Sequence, residues 1–289
     1  MTTPNSKRFP VLEEMTVQEV RDYLARRQSI LLPIGVTEQH GYHLPLSTDS
    51  LIATHLARRA AERLGILVAP TFTHCFSGGT LPGTINFSPA VMSLAMGDML
   101  SSLAAQGFRN FYLFICHGGS ENLRALQDAL HLLLRGNPAF QQALVALLPV
   151  WQMCSPGTGY QQGFREHDWH AGWLETSIVM HLENALVRMD ALALDAEPLL
   201  SQMCAHPDHY QQAEKIVDDP FVVARLTQRP DVKVGVMGDP RRASVELGRQ
   251  VAADIVTNLT NRIAKIDAGA DGQYRPVQFT PPPILLGAD

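Results

Sequence analysis

From residue 16 to about residue 150, short uninterrupted apolar runs alternate with stretches in which apolar side chains return every three or four positions. Thr16 followed by Glu19 has the form of a capping box, and Val17, Val20, Tyr23 and Leu24 then recur at helical spacing, which predicts a short helix to about Arg27. The apolar run 30–34 predicts a strand buried on both faces. Asp49 opens a helix with Leu51, Ile52, His55, Leu56 and Ala60 along one side, and Gly65 stops it. A strand is expected over 66–69. Ser88 and Pro89 supply the cap and first turn of a third helix, which Gly107 ends. A strand over 111–116, a helix over 121–135 and a strand over 144–150 continue the series. Such alternation predicts an α/β fold, a three-layer αβα sandwich with a mainly parallel central sheet.

Beyond Trp151 the rhythm weakens. Residues 155–172 read as a long loop, 173–187 as a helix, 190–240 as mixed, and 241–265 as a last helix before a Pro-rich tail ending in PPPILLGAD. The whole chain, 1–289, is expected to form a single domain with irregular decoration from about residue 190 onward. Composition narrows the function more than the fold. A formal charge of -5 with no run of like charges argues against a nucleic-acid groove or an anionic membrane surface, leaving a small-molecule substrate as the expectation. The longest apolar run is the six residues 111–116, so neither a signal peptide nor a membrane-spanning helix is expected. Four cysteines without C-x-x-C spacing suggest neither a disulfide framework nor a structural zinc cage, which fits a cytoplasmic protein.

Three clusters carry candidate chemistry. Glu38, His40, His43 and Asp49 fall in TEQHGYHLPLSTD, immediately after the first predicted strand, where parallel sheets bind their ligands. Glu38 and His40 share a face of an extended segment, and Asp49 at the next helix start can close on them. Carboxylate, imidazole and carboxylate suit a divalent transition metal, whereas the plain alternative is a polar loop whose acid only caps a helix. His117 in CHGGSEN follows the third strand and so emerges at the same sheet edge, with Glu121 and Asn122 beyond it. HDWHAGWLETS adds His167, Asp168, His170 and Glu175, a supply sufficient for two metal ions, although Glu175 in a first helical turn also has an ordinary helix-dipole role. The glycine-rich FSGGTLPGTINFSP lacks the ending of a P-loop and reads as a substrate-lining loop. Cys116, ending an apolar strand, reads as a buried small hydrophobe rather than a nucleophile.

In order and separation, PIGVTEQHGYHLPLSTD, LPGT, HGG and HAGWLETS resemble the creatininase (creatinine amidohydrolase) family from Leu32 to about Met180. The resemblance implies a αβα domain holding two divalent ions (zinc, manganese or iron) per chain. It also implies a homo-oligomer, commonly a hexamer, and hydrolysis of a C–N bond in a small, often cyclic amide by a metal-activated hydroxide. Carried over by position, Glu38 and His117 would bind one ion, His40 the other, and Asp49 would bridge them. Creatininase has a glutamate two residues after the histidine of the HGG-type element, where this chain has Gly119; Glu175 is therefore expected at the metal or as proton shuttle, with Glu121 the alternative ligand and His170 a catalytic helper. Trp151, Trp173, Gly118 and Gly119 are expected around the substrate, together with Tyr160 and Trp169 as aromatic walls. Ile115-Cys116, Ser120 and Trp173 depart from the family pattern and are expected to move the substrate away from creatinine. Two other classes fit the same residues: a metal-dependent deformylase or lyase acting on a nucleotide precursor, and a non-catalytic metal-binding relative.

Overall fold

The computed structural model describes residues 11–270; the start of the chain and the Pro-rich tail lie outside the described residues. Four parallel strands, β1 (Ser29–Ile34), β2 (Leu67–Val68), β3 (Asn110–Ile115) and β4 (Leu144–Pro149), form a sheet in the order β2-β1-β3-β4. Helices α1 (Val17–Leu24), α2 (Thr48–Leu64), α3 (Pro89–Gln106) and α4 (Ser120–Gly136) alternate with them. The expected capping box of Thr16 and Glu19 is present, and Gly65 closes α2 in the left-handed conformation.

Side-chain alternation along the strands divides the core into two layers. Leu31, Tyr112, Phe114 and Leu148 face a cluster built from α2, α6 (Trp173–Glu183) and α8 (Val245–Gly269). Ile30, Leu32, Phe111 and Leu113 face the opposite cluster with α3 and α4. Helices thus cover both faces, giving the three layers the alternation predicts.

The second half holds more structure than its sequence suggests. A helix, α5 (Gly159–Arg165), interrupts the expected loop, and α6 stops at Glu183 rather than near residue 187. Within the mixed stretch lie α7 (Leu199–Ala205) and an antiparallel hairpin of β5 (Gln211–Glu214) and β6 (Arg225–Gln228). The last helix starts at Val245, where Ser244 caps it, so residues 241–244 precede it. No described helix is long and apolar enough to cross a membrane.

Two details of register set up the site. Ile34 pairs with Ile115, so β1 and β3 end level and the segments leaving them run side by side. Gly35 then lets α2 come close, since a Cβ there would lie 2.4 Å from the Ser50 nitrogen. The first turn of α2 is thereby pressed against the carboxyl ends of both strands.

Candidate metal centre

That arrangement brings together Glu38 and His40 after β1, Asp49 in the first turn of α2, His117 after β3 and Glu175 in the first turn of α6. All five are buried. Asp49 faces two ways: Oδ1 is 3.1 Å from His40 Nε2 and Oδ2 is 3.1 Å from His117 Nδ1. Glu38 Oε1 is 3.2 Å from His117 Nδ1, and Glu175 Oε2 is 3.8 Å from His40 Nε2. Two triads that could hold a metal ion, Glu38–Asp49–His117 and His40–Asp49–Glu175, therefore share Asp49. A third combination, Glu38–His40–His170, takes one residue from each triad and adds His170, whose Nδ1 is 3.8 Å from Glu38 Oε1.

The far nitrogens of the two histidines are held by backbone. His40 Nδ1 lies 3.2 Å from the Glu38 carbonyl and His117 Nε2 lies 3.1 Å from the Phe76 carbonyl. When each donates there, the inward nitrogen presents a lone pair, the tautomer a metal ligand needs. Lone pairs facing carboxylates at this range demand positive charge between them. Protonation tendencies express the same demand. Burial disfavours charge on His40, yet Asp49, Glu175 and Glu38 override it and raise its pKa to about 9. His117 is likewise pushed well up by Glu38 and Asp49 despite its burial. Burial raises Glu175 to about 8, against the pull of His40. His170, stacked on His40 with ring centroids 4.3 Å apart, is pushed down to about 4 by burial and by that neighbour, so it stays neutral.

Above the centre lies a cavity of about 310 Å³ whose lining includes Glu38, Asp49, His117, His170 and Glu175. Trp151, Gly118, Gly119 and Trp169 also line it. Six residues singled out from the sequence stand away from the cluster or its cavity. Trp173 does not reach the cavity: it begins α6, is buried in the helix-side core, and carries the Arg242 guanidinium 4.3 Å above its ring. Tyr160 is buried in the same core and is not a wall. Glu121, in the first turn of α4, joins no metal-capable group among the described residues and lies outside the cavity. His43 turns away from the cluster, with Nε2 3.0 Å from Thr176 Oγ1, and so braces α6 next to Glu175. Asp168 is structural as well, accepting from the nitrogens of Trp173 and Leu174 at 3.0 Å each. His167 lies at the surface, its Nδ1 2.8 Å from the Cys204 carbonyl.

Much of the cavity roof was not legible. Asp208, Tyr210, Gln228 and Val232 come from around the β5–β6 hairpin, and Met237 pairs with His170 in an isolated antiparallel bridge. Gln39 belongs to the TEQH element but alternates to the other side, where its side chain touches His170 Nε2 at 3.0 Å.

An α/β sandwich with a buried carboxylate and imidazole cluster at the carboxyl edge of its parallel sheet is a scaffold with a candidate metal centre. The chain belongs to the creatininase (creatinine amidohydrolase) family, which it matches over residues 13–263. It is 30% identical over 285 residues to a mycofactocin precursor peptide peptidase of Mycobacterium ulcerans, spanning 94% of this chain and 99% of that one. Creatinine amidohydrolase of Pseudomonas putida is 30% identical over 192 residues, 61% of this chain and 73% of that one. A manganese creatininase structure superposes with a TM-score of 0.73 at 24% identity, covering 90% and 99% of the two chains.

Proposed function

We propose that this chain is a metal-dependent amidohydrolase that cleaves a C–N bond of a small amide. The observation that carries the reading is Asp49, whose two oxygens each stand 3.1 Å from a different imidazole. Glu38, His117 and Asp49 would hold one divalent ion, and His40, Glu175 and Asp49 a second. The donor set suits zinc, manganese or iron. A bound pair of this kind supplies Lewis acidity and a water of lowered pKa at neutral pH.

The remaining chemistry belongs to the chain. His170 is neutral, lines the cavity and has Nε2 2.8 Å from the Gln39 carbonyl, which fixes the ring while its other nitrogen faces Glu38. Its unprotonated Nδ1 would be placed to accept a proton from the attacking water and then pass it to the departing nitrogen. Trp151, Phe164 and Trp169 supply apolar walls that exclude water. Among the described residues no lysine or arginine lines the cavity, which speaks against a phosphorylated nucleotide precursor.

A second reading, cleavage of a peptide bond, is favoured by the peptidase name of the relative that spans 94% of this chain. Both readings are tested by one screen of the manganese- or zinc-loaded protein against lactams, cyclic ureides, formamides and short peptides. Turnover of small amides above peptides supports the first reading, and the reverse order supports the second. A protein that takes up no divalent ion, or turns over nothing in the panel, overturns the metal-dependent hydrolase.

A further inference from the structure

Resting on the metal-centre reading above, we infer that the dipeptide Phe76–Ser77 is the positioning element of the Glu38–Asp49–His117 triad, with the Ser77 hydroxyl setting its affinity for metal. This glycine-rich segment contributes no ligand of its own, yet it touches two of the three. The Phe76 carbonyl accepts from His117 Nε2 at 3.1 Å, and the Ser77 hydroxyl donates to Glu38 Oε2. Each contact occupies the atom facing away from the other ligands. Glu38 Oε1 and His117 Nδ1, 3.2 Å apart, are left to point at the same place.

The dipeptide is itself fixed from behind. Fully buried Asn122 accepts from the Phe76 nitrogen at 3.2 Å. Asn86 accepts from the nitrogens of Ser77 and Gly78 at 2.9 and 3.1 Å and donates to the Gly79 carbonyl at 2.6 Å. The Ser77 oxygen also accepts from the Gly79 nitrogen at 3.2 Å, so its one hydrogen is committed to Glu38. A carboxylate without that donor rotates among orientations in which Oε1 no longer meets His117. Outer partners of metal ligands typically govern affinity by about 10- to 100-fold. Among the described residues no hydrogen bond joins the dipeptide to His40, Asp49 or Glu175, so the effect should fall on one ion of the pair.

The test is chelator-driven release of manganese from the loaded full-length chain, comparing wild type, Ser77→Ala, Ser77→Thr and Ser77→Cys. In Ser77→Ala one ion should leave at a chelator strength about 10- to 100-fold lower while the other is retained. Ser77→Thr, which keeps the hydroxyl, should resemble wild type, and Ser77→Cys, a much weaker donor of similar shape, should fall between. The melting temperature of the metal-free variants should match that of metal-free wild type, a readout that a purely structural loop would shift. If wild type holds two ions and Ser77→Ala holds both equally tightly, or if Ser77→Ala loses both together with a lowered metal-free melting temperature, the positioning role is overturned alone. If wild type holds no ion, the metal centre itself falls, and this role with it.

Discussion

Nε2 of His40 stands 3.1 Å from Oδ1 of Asp49, and both side chains are sealed from solvent. Because the other Asp49 oxygen serves His117 in the same way, one carboxylate organises two imidazoles from two different strand ends. Wild-type protein should therefore carry about two divalent ions per chain, as a bridged pair requires. Asp49→Ala should lose both. Elemental analysis after dialysis against manganese or zinc checks this, and retention of either ion at full occupancy in the variant would show that Asp49 is not the bridge.

Glu175 and Glu121 make opposite predictions. Glu175 is buried, accepts from the Ala171 nitrogen at 2.7 Å and reaches to 3.8 Å from His40, whereas Glu121 is partly exposed and outside the cavity. Glu175→Gln preserves shape but puts a neutral amide where the second ion would take a carboxylate, so turnover should fall at least about a hundredfold. Glu121→Gln should change it little. Paired kinetics showing the larger loss at Glu121 would reverse the assignment.

A Cβ on Gly119 would lie 2.7 Å from His117 Nε2, inside contact distance. The same position therefore cannot carry a ligating carboxylate without turning His117 off the Phe76 carbonyl. Gly119→Ala should weaken manganese binding by at least about tenfold through that displaced ring. A titration with wild-type affinity would mean that His117 does not depend on its present orientation.

Legibility of the sequence followed the strength of the hydrophobic pattern. Strands β1, β3 and β4 and helices α2, α3 and α4 were readable because apolar runs and caps agree there, and Glu38, His40, Asp49 and His117 were readable because strand ends in a parallel sheet converge. β5 and β6, with sequences QQAE and RLTQ, bury little and carry no apolar alternation, so the roof they bring over the cavity left no signal. Trp173 misled because the first residue of a helix can face either the sheet edge or the neighbouring helices, and here Arg242 and the α8 side claim it. Phe76 and Ser77 act through a backbone carbonyl and a hydroxyl, groups that no spacing rule distinguishes.

At the opposite sheet edge, Asp267 near the end of α8 accepts from Ser29 at 2.5 Å, Arg27 at 2.7 Å, Tyr112 at 2.9 Å and Asn110 at 3.2 Å. Burial alone would raise its pKa, but the bonds from Ser29, Arg27 and Tyr112 outweigh it and hold the carboxyl below its ordinary value of 3.8. A lowered folded-state pKa means that the stabilisation is present above about pH 4 and is lost as pH falls through the folded value. Asp267→Asn should thus destabilise the protein by about 1 kcal/mol or more at pH 7, as expected for charge-assisted bonds. Urea unfolding of both proteins at pH 7 and pH 3 should show the gap narrowing in acid. A gap that is constant across that range would remove the charge from the explanation.

Creatinine is not expected to be the best substrate. Gly119 stands where creatininase has a glutamate, Ile115-Cys116 where family members often carry Asn-Gly, and Cys116, Gly118 and Gly119 all line the cavity. The cavity wall beside His117 is thus thiol and backbone at Cys116, Gly118 and Gly119. A site rejects a molecule strongly when its hydrogen-bonding groups go unpaired, and only weakly through small differences in apolar size, so lost partners cost about 10,000-fold where a missing methylene costs about 10- to 200-fold. The specificity constant, kcat/KM, for creatinine should therefore fall below that of at least one lactam, cyclic ureide, formamide or short peptide by a hundredfold or more, about 2.7 kcal/mol in transition-state terms. Creatinine turnover exceeding the whole panel would show that the wall around His117 does not select the substrate, and that the departures at positions 115, 116 and 119 are neutral.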